Sequence, residues 1–135
     1  MKKIFENVAY FNGNSSEVID ILSNPLHLIK MVSDVKILDS NESGFTIERI
    51  SRSINRFEKI SVQVVDNKVT YISRQGKIEY NLVFNVLDDN SGVKILEDFF
   101  LINNISLPIP LIKPILKYSF NINLKNLVKL MGIIK

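Results

Sequence analysis

The apolar positions of this chain alternate with a period of two, then of 3.6, then of two again, and finally of 3.6. Residues 1–11 read as a strand, with Ile4, Val8 and Tyr10 on one face and Phe5, Ala9 and Phe11 on the other. Asn12-Gly13-Asn14 breaks it. Ser15 or Ser16 is placed to cap a short helix through Ile21 and Leu22, with Glu17 in its first turn. Asn24-Pro25 ends that helix and starts a second over residues 26–32, because proline suits a first helical turn and disrupts a helix interior. From Val35 the pattern predicts strands over residues 35–39, 44–51, 55–65, 68–74, 77–87 and 92–103. Turn residues such as Asp66-Asn67 and Gln75-Gly76 separate them, and turns this short imply an antiparallel meander. An apolar loop around Pro108 and Pro110 follows, and helix resumes near Leu111. Leu116, Phe120, Leu124, Leu127, Met131 and Ile134 then form one stripe, and Lys113, Lys117, Asn121, Lys125 and Lys129 another. Pro114 is tolerable if it falls in the first turn.

Strand phasing selects residues for an inward face. Tyr80, Leu82, Phe84 and Val86 oppose Glu79, Asn81 and Asn85, so the first set points in. On the next strand Val93, Ile95, Phe99 and Leu101 share a face with Glu97. Glu58 falls with Ile60, Val62 and Val64, Arg49 with Phe45 and Ile47, and Tyr71 with Val69. A buried carboxylate needs a partner, which makes Arg49 a counter-ion for Glu97 or Glu58. Such a cluster binds a polar ligand head or moves protons; the alternatives are a purely structural pair, or a register slip that leaves the charges in solvent. Tyr71, Tyr80 and Tyr118 are candidate hydroxyl donors to a ligand or, equally, core residues with local partners. His27 is the only histidine, so no two-histidine relay or histidine metal cluster can form within one chain.

Composition narrows the classes. The 135 residues suit one domain spanning 1–135, with an ordinary apolar fraction of 46% that argues against disorder. There is no cysteine, which excludes disulfides and thiolate chemistry. The apolar stretch 105–116 is too short and too interrupted by proline for a membrane span, and the charged start is unlike a signal peptide, so a cytoplasmic location is expected. All 14 acidic residues lie at or before Asp98, while Lys113, Lys117, Lys125, Lys129 and Lys135 follow it, so the net charge of +3 originates in the last segment. That segment either attracts an anionic membrane surface, with the 107–111 loop dipping into the interface, or is a solvated helix face. Interleaved aromatics and nucleic-acid motifs are missing, and so are phosphate loops, metal spacings and nucleophile motifs; neither nucleic acid nor a cofactor is expected.

One strand, two short helices, six meandering strands and a long closing helix resemble the START-like helix-grip superfamily, also called SRPBCC, of polyketide cyclases, lipid-transfer proteins and pollen-allergen-like proteins. The Leu22-Ser23-Asn24-Pro25 junction is similar to that family's break between its short helices. The resemblance implies an α+β fold, a curved seven-stranded antiparallel sheet wrapped around the C-terminal helix with a hollow between them. It further implies a hydrophobic small molecule or lipid in that hollow, held without catalysis. The expected cavity residues are Arg49, Glu58, Tyr71, Tyr80, Leu82, Phe84, Glu97, Phe99, Tyr118 and Phe120, with Phe84, Phe99 and Phe120 at the rim. The rival implication is a cyclase or dehydratase that uses Glu97, Arg49 or a tyrosine in the same hollow.

Overall fold

The computed structural model describes residues 2–24, 35–41, 44–49, 55–103 and 108–134. The element order is β1 (Lys2–Phe11), α1 (Ser15–Leu22), β2 (Val35–Asn41), β3 (Gly44–Arg49), β4 (Phe57–Val65), β5 (Lys68–Arg74), β6 (Tyr80–Asp89), β7 (Gly92–Leu101) and α2 (Ile109–Ile134). The second short helix expected over 26–32, with His27 on it, lies outside the described residues.

The strands form one antiparallel open sheet in the order β1-β7-β6-β5-β4-β3-β2. Strands consecutive from β2 to β7 pair as a meander, whereas β1 crosses over to pair with β7, Phe5 opposite Phe99 and Asn7 opposite Glu97. The period-two phasing holds: Tyr80, Leu82, Phe84 and Val86 of β6 and Val93, Ile95, Glu97, Phe99 and Leu101 of β7 are all buried. On β1 the buried face carries Phe5, Ala9 and Phe11, with Asn7 among them, and Tyr10 is exposed. A bulge between Lys3 and Phe5 also turns Ile4 inward, so the simple alternation fails there, and it fails again at Val64, which is exposed where β4 runs past the core.

Asn14, rather than Ser15 or Ser16, caps α1. Its side chain accepts the Glu17 amide while the Glu17 carboxylate accepts the Asn14 amide, a reciprocal capping box. Val18 and Leu22 bury the inner side of α1. The Tyr71 hydroxyl of β5 donates to the Leu22 carbonyl at 2.5 Å, which satisfies an acceptor left open at the helix end. Gly44 opens β3 at a φ of 139°, where a Cβ would stand 2.3 Å from the Ile60 carbonyl oxygen, so only glycine fits.

The amides of Leu111 and Ile112 both donate to the Pro108 carbonyl, which starts α2 two residues before the expected position. Pro114 therefore sits in the second turn, where it removes the intrahelical bond to the Pro110 carbonyl; its exposure leaves that carbonyl free to meet water. Leu124, Leu127 and Met131 are buried against the sheet, and Leu116 and Phe120 pack on the same core. The lysine stripe does not simply face away. Lys117 Nζ donates to the Glu6 carbonyl at 2.6 Å and Lys125 Nζ to the Val8 carbonyl at 3.1 Å. Because β1 is an edge strand, these ammonium groups occupy acceptors that no neighbouring strand reaches.

Candidate functional site

An aromatic wall runs across the inner face. Phe99 stacks on Phe5 and on Tyr80, each at 4.8 Å between centroids and close to parallel, and Phe120 of α2 tilts against Phe99 at 5.4 Å. Beside that wall, on the side of α2 away from β1, lies a pocket of about 110 Å³. Tyr80, Phe99 and Phe120 line it together with Leu116, Ser119 and Asn123 of α2, Asn55, Ile78, and the pair Arg49 and Glu58. A wider depression of about 260 Å³ beside Tyr10 and Asp89 lies at the β6–β7 hairpin. It contains no buried charged group among its lining residues, so the smaller pocket is the better candidate.

Neighbouring strands supply the polar end. Arg49 of β3 donates through Nε to Glu58 Oε2 at 2.5 Å. The Tyr80 hydroxyl and Ser73 Oγ each donate to Glu58 Oε1 at 2.6 Å. Glu58 is only 1% exposed, and three donors on two oxygens satisfy it. Burial works against the Arg49 charge, but the Tyr80 and Glu58 groups beside it outweigh that and raise its pKa. Burial first, and then the Glu58 carboxylate, push the Tyr80 hydroxyl far above the ordinary phenol value. Tyr80 is thus a neutral donor at any ordinary pH. Asn55 fixes the adjoining chain by mimicking a strand partner: its amide donates to the Ile78 carbonyl and accepts the Ile78 amide, both at 2.7 Å.

A second polar group on the inner face stands apart. Glu97 is 2% exposed and accepts from Asn7 Nδ2 at 3.1 Å, and the same amide donates to the Lys117 carbonyl of α2 at 3.2 Å. Burial, only partly opposed by the Asn7 bond and reinforced by Asp98, pushes the Glu97 carboxyl up to about 8. Glu97 is therefore mostly protonated at neutral pH.

Of the ten expected cavity residues, the pocket brings together Arg49, Glu58, Tyr80, Phe99 and Phe120. Glu97, Leu82 and Phe84 are buried elsewhere on the inner face, and Phe84 meets Tyr71 edge-on at 5.6 Å. Tyr71 is committed to α1, with its hydroxyl pushed up by burial. Tyr118 is 68% exposed on the outer side of α2, so it is not a pocket residue. Arg49 partners Glu58 and not Glu97. Ser73 and Asn7 were not among the expected residues, although each was findable by a further step of two, from Tyr71 and from Phe5. Ser119 and Asn123 are four apart on the flank of the apolar stripe. No group of residues able to hold a metal ion occurs among the described residues.

A seven-stranded antiparallel sheet opened by β1 and α1 and closed by a long helix is the START-like helix-grip fold. Solved structures agree along the whole chain. A START superfamily protein from Mycobacterium smegmatis superposes with a TM-score of 0.78 at 11% identity, covering 98% of this chain and 99% of that one. A conserved protein from Geobacillus kaustophilus gives 0.71 at 13% identity, with 94% and 93% covered. An aromatase/cyclase from Streptomyces gives 0.64 at 10% identity, with 95% and 92% covered. Identities this low speak for the fold alone. No protein-family model and no curated protein matches the chain.

Proposed function

We propose that the protein binds a small hydrophobic molecule, without catalysis, in the pocket between the sheet and α2. The observation that carries this reading is the combination of a three-ring aromatic lining with one convergent polar end. The volume of about 110 Å³ is well below the ~300 Å³ and more of drug-sized sites, and closer to the ~150 Å³ engineered cavity, in another protein, that takes benzene. The bound part is therefore about one ring. Catalysis by a pocket carboxylate fits less well. Glu97 lies outside the pocket lining, and both oxygens of Glu58 already accept hydrogen bonds.

Titration with toluene tests the proposal, followed through the aromatic resonances of Tyr80, Phe99 and Phe120. Saturable shifts confined to those rings are expected, and Ser119→Trp, which places an indole over the mouth, should abolish them. Absence of saturable shifts in the unsubstituted protein removes the reading.

A separate observation favours a membrane role for the outer side of α2. Leu111, Ile115, Tyr118 and Ile122 are 69%, 65%, 68% and 41% exposed and follow one another at helical spacing. Lys129 continues the same line beyond Lys125, whose ammonium group is held by the Val8 carbonyl, and α2 contains no acidic residue. An apolar stripe running into lysines suits the surface of an anionic bilayer. Flotation with phosphatidylserine vesicles at low salt should carry the protein upward, and Ile115→Glu should release it. A protein that stays at the bottom at low salt removes this second reading. No described helix is long and apolar enough to cross a membrane.

A further inference from the structure

We infer that Glu58 sets the charge of the ligand: by neutralising Arg49 it makes the pocket select an uncharged molecule with a carbonyl-type acceptor over the corresponding carboxylate. The inference rests on the pocket-binding reading and narrows it to a ligand class.

Arg49 has more donors than its partners among the described residues use. A guanidinium carries five N–H groups. Nε is committed to Glu58, and the described contact of the two Nη groups is a long one, 3.4 Å from Nη2 to the Tyr80 hydroxyl. The remaining donors belong to a side chain that lines the pocket. An acceptor atom on a bound molecule is what they lack.

The charge of that acceptor follows from the balance around it. Among the described lining residues Arg49 and Glu58 are the charged ones, and Asn55, Ser119 and Asn123 are neutral. The pair cancels. A ligand carboxylate entering here loses its water and meets Glu58 as well as Arg49, so its desolvation is not offset by net attraction. A ketone, ester or amide carbonyl surrenders far less hydration and still accepts from the Nη donors that Glu58 and Tyr80 leave over. The ring attached to it meets Tyr80, Phe99 and Phe120, the aromatic side chains that line the pocket.

The test compares acetophenone with benzoate, which share a ring and differ in the charge on the acceptor. At neutral pH the unsubstituted protein should bind acetophenone about tenfold or more tightly than benzoate. Glu58→Gln leaves the Arg49 charge unpaired and should reverse the order. Arg49→Met, whose side chain has no donor, should reduce acetophenone to the affinity of toluene. Benzoate binding as tightly as acetophenone to the unsubstituted protein overturns the inference, and this arm needs no variant to fold. A folded Glu58→Gln protein with the original ranking also overturns it. If toluene binds and acetophenone gains nothing over it, the acceptor site is refuted while the pocket stands. If none of the three probes binds, the pocket reading falls and the inference falls with it.

Discussion

Glu97→Gln should make the stability of this protein much less sensitive to alkali. The wild-type carboxyl has its pKa raised from 4.5 to about 8 by burial, with Asn7 as its one side-chain partner among the described residues and Asp98 beside it. Between those two values the folded state keeps the proton and the unfolded state releases it. Stability contributed by the neutral form is therefore fully present below about pH 4.5 and is lost as pH rises through about 8. At about 1.36 kcal/mol per pKa unit, the shift corresponds to an upper bound of roughly 5 kcal/mol between the two limits. That is comparable with the whole stability of a marginal domain, about 5–15 kcal/mol. Glutamine keeps the shape and the acceptor for Asn7 but cannot ionise. Urea unfolding followed by circular dichroism, at about pH 4 and about pH 9, should show the two proteins within about 0.5 kcal/mol at the acid end. At the alkaline end the variant should be the more stable by several kcal/mol. Parallel pH profiles would refute the reasoning, because they would mean that Glu97 ionises in the folded state without penalty.

Tyr71→Phe should lower stability by about 1–3 kcal/mol, since it leaves the Leu22 carbonyl without its 2.5 Å donor; urea unfolding reads the loss. Gly44→Ala should cost more than the ~1 kcal/mol of an ordinary loop substitution, because the new methyl meets the Ile60 carbonyl oxygen at 2.3 Å; a thermal melt within a degree of wild type would contradict this. The Lys117→Met, Lys125→Met double variant frees the edge carbonyls of Glu6 and Val8 and should raise the rate of aggregation on heating, measured by light scattering. Leu127→Ala should cost about 2–5 kcal/mol as a core truncation, measured by the urea midpoint.

The inner face was legible in the sequence because period two is a local property of each strand. Tyr80, Phe99, Glu97 and Glu58 all fall on the side their alternation assigns. Partnership across the sheet was less legible. Arg49 on β3 and Glu97 on β7 are four strand spacings apart, about 19 Å at ~4.8 Å per strand, whereas Glu58 is on the adjacent strand. Strand order decides between them: alternation alone puts both carboxylates on the inner face, and the meander implied by the short turns is what makes Glu58 the neighbour. Tyr118 was misplaced for a rotational reason: it is two residues from both Leu116 and Phe120, about 200° round the helix from each. Lys117 and Lys125 looked like a solvated face because nothing in the lysine spacing shows that β1 is an edge strand. Asn14 displaced Ser15 and Ser16 as the cap since its acceptor lies three residues before Glu17, the capping-box spacing.

The pairing of β1 with β7 bears on how the chain is made. Among the described strands the first is hydrogen-bonded only to the last, Lys2 opposite Leu101 and Phe11 opposite Val93, and its outer edge is covered by lysines that come later still. At about 5–20 residues per second, a ribosome needs roughly 5–20 s after finishing β1 to complete its partner. For that time Phe5, Ala9 and Phe11 have no sheet to enter, while the β2–β6 meander can assemble from neighbours. The N-terminal strand is then the last strand to be seated, and substitutions in it should speed the unfolding of a finished chain more than they slow its folding.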